Sequence, residues 1–473
     1  MSETSGAAQR APAPAVQRAP APQEVITPDI ANMDNCIADV RRALADGDRG
    51  PADPTNFANL RGRLAVLRDT LAPIYREAYY DPYVATLNSL GQTGFNEALA
   101  DPDTALLMMD IAHTILQNGE GFQQAALDAF EEVVSDLYDG FLSAEDRSGV
   151  KPPDRGTIPP LVKFGNPDFG PYTFPIEATS SIHPPGGPGL GAALVCLPPA
   201  HARLGLLAWS ALGHETAGHD ILSADTGLKS EIMRAVRNKL QAAGLGRLAT
   251  YWAQRIDETA SDVLGILNMG PAAAIGLIGF FRGFSRDSKL RSSGPASDPH
   301  PADVLRGFLG AATVKLLSFD GAAAWSDIIR AETHKDVTTI RLEGIVVSEQ
   351  QAEQSAVLVA EAIAKTELTS LEHTALIEIQ DWRNEDEAIV SQLRDVLTKS
   401  TPLSANIGTG AFAAHAVAAA VTTALTAGAD LSRIFQRMIT VLKAMHDVNP
   451  SFGPLFVTHP GDIKPDLVYI AGE

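Results

Sequence analysis

The sequence predicts a mainly α protein with a few strands, an α+β fold, on three observations. Apolar residues recur at three- and four-residue spacing over most of the 473-residue chain, the pattern of helices that bury one face. Strand-like runs are short: two lie inside a Pro- and Gly-dense stretch at 147–200, and one lies at 337–347. The composition, 45% hydrophobic and 20% charged, is that of an ordinary globular chain long enough for two or three domains.

In chain order, residues 1–28 carry the near-repeat QRAPAPAVQRAPAP, cannot bury a core, and are expected to form a disordered tail. Residues 29–150 read as a helical N-terminal domain, in which DTALLMMDIAHTILQNG and FQQAALDAFEEVVSDLYDGFL set acidic residues between apolar ones. His113 reads there as a packed histidine, because no second ligand type is spaced to join it. Residues 151–345 are expected to form a core. They hold the strand-like runs YTFPIEA and AALVCL, a buried helix from about Ala200 to Leu222, and helices at 228–243, 246–267 and 302–318. A strand, VTTIRLEGIVV, ends at Ser348, where a long acidic helical region begins. Residues 346–473 are a C-terminal helical region closed by GAFAAHAVAAAVTTALTAGA and LSRIFQRMITVLKAMHD. No internal repeat stands out. The glycine run 186–191 is not a phosphate loop, since no Gly-Lys-Ser/Thr follows, and NIGTG at 406–410 reads as a helix-entry loop.

A net charge of −20 repels phosphate backbones, so nucleic acid is not an expected partner. Two cysteines, Cys36 and Cys196, are too few for a disulfide framework and point to a reducing compartment. The N-terminus lacks a basic segment followed by an apolar one, so no secretory signal is read there. The uncharged run Val263–Phe281 reads as a buried helix pair rather than a membrane span, because Asn268, Pro271 and four glycines interrupt it. Together these predict a cytoplasmic protein.

The chemistry concentrates in ALGHETAGHDIL, residues 211–222. A metal site built on a helix needs two imidazoles on one face, with a third ligand from elsewhere. At about 100° per residue, positions four apart differ by roughly 40° and positions five apart by roughly 140°. His214 and His219 are five apart, so a regular helix separates them. A π-bulge restores their alignment, and Gly218 lowers the resistance to such a distortion. Downstream, RIDETASDVLG places Glu258 and Asp262 four apart on one helix face. One of these carboxylates can ligate a metal and the other can orient a ligand imidazole.

With GHETAGH and ETASDVLG together, the chain resembles the gluzincin metallopeptidases, the thermolysin-like group, over roughly Ala193 to Arg306. The resemblance implies a zincin-like core flanked by helical regions, Zn2+ as cofactor, and a peptide or protein as substrate. It assigns His214, His219 and Glu258 as metal ligands, Asp262 as the carboxylate behind a histidine, and Glu215 as the general base for a metal-activated water attacking a peptide carbonyl. SDPHPADVLR resembles a segment that lines the site in some membrane-associated gluzincins, which implies that His300 stabilises the oxyanion and that Arg306 holds structure or substrate. The chain departs from the family in its His-Glu-x-x-x-His spacing, which puts the second ligand in doubt. The strand GAALVCL is expected to be an edge that pairs with an extended peptide, and Cys196 within it reads as a packed residue.

Two other readings stay open. His201, His219-Asp220 and Asp262 or Asp257 form the set of an HD-type phosphohydrolase, whose oxygen-rich ligands favour Mn or Mg. The same polar residues also suit a metal-free buried network in an inactive scaffold with a pseudo-site. His415, inside an alanine-rich helix, reads as a core histidine before it reads as a donor to the site. His183, His334, His373, His446 and His459 lack partners at ligand spacing.

Overall fold

The chain is mainly helical with two small mixed sheets, in a computed structural model that describes residues 28–143, 146–155, 158–168, 170–187, 189–191, 193–399 and 411–448. The Pro- and Ala-rich tail before Pro28, the NIGTG fragment and His459 lie outside the described residues.

Local chemistry sets the helix ends. The Asp101 side chain accepts from Thr104 N at 2.9 Å to start helix Pro102–Glu120, and Gly121, left-handed at φ 74°, ends it. Ser348 and Gln351 form a reciprocal capping box at the head of Glu349–Lys365, where the sequence placed the acidic helical region. Helices Gln124–Leu142, Ile256–Met269, Pro271–Phe284 and Ala413–Ala424 are buried along most of their length and make the centre of the larger core. A second core, around Tyr79, Tyr83, Phe95 and Ile115, meets the first sheet at Leu161 and Leu194.

The apolar run Val263–Phe281 is divided at Gly270, which has φ 64° and ends one 14-residue helix just before the next. A Cβ at Gly270 would lie 2.6 Å from the Trp382 indole, so the turn needs glycine both for its backbone and for its packing. Among the described residues, no helix is long and apolar enough to cross a membrane.

Strands β1 (Leu161–Phe164), β2 (Tyr172–Phe174) and β3 (Leu194–Leu197) form the sheet that borders the site, in the order β1-β3-β2. β1 is parallel to β3 and β2 is antiparallel to it. The expected edge, GAALVCL, is therefore the centre of the sheet, and the edge on the other side from β1 is β2. Pairing on both sides leaves β3 no backbone groups for a peptide. Cys196 is buried within it, and burial pushes its thiol up to about 12. The expected single strand at 337–347 is a hairpin, Ile340–Leu342 and Ile345–Val347, because Glu343 and Gly344 adopt φ 49° and 82° at its turn.

The long helix expected from Ala200 to Leu222 is not continuous. Two 3-10 turns, Pro199–Ala202 and Leu206–Ala211, lead into Leu212–Ala217, and a short helix, Ile221–Ala224, follows a turn. The helix expected at 246–267 breaks at Arg255, whose buried guanidinium bonds Glu343 and stacks on Tyr251.

Candidate metal centre

Two helices bring the polar residues together, and small residues let them do so. Leu212–Ala217 crosses Ile256–Met269 with Gly213 against Gly265, where a Cβ on Gly265 would lie 2.7 Å from the Gly213 carbonyl carbon. The helix ends at Ala217, and Gly218 (φ −98°, ψ −75°) starts the turn that carries His219. The extra residue between the histidines is thus absorbed by a helix end. The expected π-bulge does not occur, because Gly218 is pressed against Ser261 and the backbone turns away there. The outcome for the imidazoles is the one the bulge was meant to provide. Their ring centroids lie 5.1 Å apart with perpendicular planes.

His214, His219 and Glu258 each offer a ligand atom, and these atoms lie within 4.8 Å of one another. His214 Nε2 is 3.1 Å from Glu258 Oε2, and His219 Nε2 is 3.8 Å from Glu258 Oε1. Behind His214, Asp262 Oδ1 lies 2.8 Å from Nδ1 and sets the ring so that Nε2 faces Glu258. Asp262 is held in turn by Arg306, whose Nη2 and Nε donate at 2.6 and 2.7 Å. His214, Glu258, Asp262 and Arg306 are buried and His219 is partly so.

His300 reaches the same carboxylate from the loop before helix Asp303–Val314. Its Nε2 is 3.3 Å from Glu258 Oε2 and its Nδ1 is 3.1 Å from Asp298 Oδ1. Glu215 is buried beside His214, and its Oε2 accepts the Thr173 hydroxyl at 2.9 Å. His214, Glu215, His300 and Arg306 all line a cavity of about 570 Å³. Its apolar wall is Leu277, Phe280, Phe281 and Phe284.

Electrostatics bind the group into one unit. Burial opposes charge on His214, yet Asp262 and Glu258 hold it up to about 10. Burial also opposes charge on Glu258, but His214, His219 and His300 keep its carboxyl well below the usual range. Asp262, likewise buried, is brought down to about 2 by Arg306 and His214. Glu258 Oε2 is buried and meets no donor at hydrogen-bonding geometry, although two imidazole nitrogens lie near it. Two imidazoles and a carboxylate around such an orphaned oxygen are the donor set zinc takes with an open position left over. The residues present fit the ion.

The structure therefore brings together the residues singled out for the site, namely His214, Glu215, His219, Glu258, Asp262, His300 and Arg306. It does not gather the HD-type set. Among the described residues neither His201 nor Asp220 joins a group of ligand-capable side chains. His201 is packed under Gly205 with Nδ1 on the Leu204 carbonyl, and burial lowers it to about 4. His415 caps helix Ala413–Ala424, with Nδ1 accepting from Phe412 N and Nε2 on Asp386. His113 is packed as expected, its Nε2 3.1 Å from the Ala52 carbonyl. A second group, Asp128, His446 and Asp447, already embraces a cation, since Lys443 Nζ lies 3.2 and 2.7 Å from its two carboxylates.

Sequence reasoning missed Thr173 and Asp298. Asp298 had a local signal: an aspartate two residues before His300 can accept its backbone N–H, as Oδ1 does at 2.9 Å. Thr173 had none, because only the fold brings β2 to Glu215. Comparison with protein-family models, curated proteins and solved structures finds no match to this chain.

Proposed function

We propose that this chain is a zinc-dependent, metallopeptidase-like hydrolase of gluzincin type, with residues 151–345 as a zincin-like catalytic core acting in the cytoplasm. The observation that carries the reading is the convergence of His214, His219 and Glu258 at one point, with His214, Glu215 and His300 lining the adjoining cavity. His214, His219 and Glu258 would hold zinc, which when bound supplies a Lewis acid for carbonyl and water activation. Glu215, steadied by Thr173, takes the proton from the attacking water. His300, with Asp298 on its Nδ1, presents Nε2 to the developing oxyanion. Arg306 and Asp262 hold the His214 ring in place.

Two features favour a peptide. Among the described residues β2 is an edge strand of its sheet, next to the central β3, and Gly170 and Pro171, which lead into it, line the cavity. An extended peptide added to that edge would pass in front of Glu215. The wall of Leu277, Phe280, Phe281 and Phe284 suits an apolar side chain next to the scissile bond.

The test is zinc content by mass spectrometry together with hydrolysis of fluorescein-labelled casein. About one zinc per chain is expected in wild type and in Glu215→Gln. Hydrolysis should fall by a factor of about 10² or more in Glu215→Gln. Zinc retained without hydrolysis in wild type would mean a binding protein with a pseudo-site. Manganese that is lost with Asp220→Ala but insensitive to Glu258→Ala would overturn the reading in favour of the HD-type one.

A further inference from the structure

The second histidine stands on a turn rather than a helix, so something other than helix geometry must fix its ring. His219 Nδ1 lies 3.7 Å from Asp257 Oδ2, and Asp257 Oδ1 lies 2.9 Å from Lys229 Nζ. The order of groups is the one behind His214, where Nδ1 lies 2.8 Å from Asp262 and Asp262 lies 2.6 Å from Arg306, but the contact to the His219 ring is looser by about 0.9 Å and is not a direct hydrogen bond. Each imidazole turns Nδ1 to an aspartate backed by a basic side chain, and each turns Nε2 to Glu258. Asp257, Glu258 and Asp262 all belong to one helix, Ile256–Met269. One rigid element therefore supplies a candidate ligand and the carboxylate behind each histidine. The Asp257 backbone carbonyl also accepts the hydroxyl of Ser261, the residue pressed against Gly218, so the turn and its support are packed together.

We infer that Asp257 is the positioning residue for His219, with Lys229 holding Asp257, and that this pair compensates for the residue inserted between the two histidines. The inference rests on the metal-centre reading and goes beyond it. It assigns to a residue outside the ligand set the task of fixing the His219 tautomer and presenting Nε2 to the ion. A carboxylate on Nδ1 also raises the ligand strength of the opposite nitrogen. Lys229 neutralises a carboxylate that is nearly half exposed, so the pair can order without a buried charge.

The experiment measures the zinc dissociation constant of the full chain by competition with a chromophoric chelator, and the visible spectrum of the cobalt-substituted protein. Asp257→Ala is expected to weaken zinc by about 10–100-fold and to change the cobalt spectrum. Asp257→Asn keeps an acceptor for Nδ1 and should recover most of that loss. Lys229→Met should weaken zinc by a smaller factor. The melting temperatures of the metal-free variants should match wild type, which separates positioning from folding. Zinc bound equally by wild type and Asp257→Ala, while His219→Ala loses it, overturns this inference alone. Failure of wild type to bind zinc overturns the metal-centre reading and this inference with it.

Discussion

Gly218 and Ser261 are in direct contact: a methyl group added to Gly218 would sit 2.1 Å from both the Cβ and the Oγ of the serine. That contact fixes where the helix bearing His214 stops and where the turn bearing His219 starts. Gly218→Ala is expected to force the two helices apart, at roughly 1–3 kcal/mol or more for overpacking. The change reaches His219 at once, so zinc affinity should fall along with stability. Urea unfolding with an unchanged m value checks the first and chelator competition the second. A Gly218→Ala protein as stable as wild type would show that the crossing has slack.

Behind His214, Arg306 is buried over the Phe281 ring, 4.5 Å from its centroid, and is paired with the buried Asp262. Arg306→Met leaves Asp262 without the guanidinium that brings it down to about 2. An uncompensated buried charge costs roughly 3–5 kcal/mol, so this variant should be among the most damaging single changes in the core. The double variant Arg306→Met/Asp262→Leu removes the stranded charge and should recover part of the loss. Denaturant midpoints of the three proteins decide the matter. A double variant no more stable than Arg306→Met would mean that lost packing, not the charge, is the cost.

That these residues would meet was legible because their spacing is local: GHETAGH and ETASD carry side chains able to ligate, and spacing four apart puts Glu258 and Asp262 on one face. The start of a helical region after Ser348 and the splitting of the apolar run Val263–Phe281 into a helix pair were legible for the same reason. What was not legible depends on contacts between distant segments. The π-bulge was the local answer to a five-residue spacing, whereas the actual answer lies in Ser261, which no property of residues 211–222 reveals. The strand GAALVCL carries no mark of being central, because its second neighbour, β1, follows a proline pair and is only four residues long. Thr173 and Lys229 reach the site through the fold and carry no motif. His201 and His415 show the converse: each sits in an apolar context that suggests chemistry, and each is occupied by a backbone partner.

Zinc itself should act as a folding ligand. Glu258 is buried among three imidazoles and its Oε2 lacks a well-directed donor, so an ion at that point satisfies groups the unfolded chain would leave in water. Zinc at one hundred times its dissociation constant should stabilise the protein by about 2.7 kcal/mol, and a chelator should reverse this. Glu258→Ala should show no zinc-dependent shift in melting temperature. Calorimetric scans with and without zinc test both statements, and equal shifts in the two proteins would place the ion elsewhere.

Far from the site, Asp136 ties helix Gln124–Leu142 to the head of Ala413–Ala424 by accepting from Ala414 N at 2.8 Å. Burial pushes its carboxyl up to about 8, with Glu132 and Asp146 adding to the rise and the Ala414 N–H opposing it. In the unfolded chain the same group titrates near its ordinary value of 3.8. Between those two values the folded state holds a proton that the unfolded state has lost. The contribution is therefore complete below about pH 4 and is lost as pH rises through 8, at a slope of up to about 1.4 kcal/mol per pH unit. Asp136→Asn keeps an acceptor for Ala414 N and never ionises. Its melting temperature should match wild type near pH 4 and exceed it progressively towards pH 8. Melting curves at pH 5, 6.5 and 8 test this, and a gap that stays constant with pH would show that Asp136 is not the group that titrates.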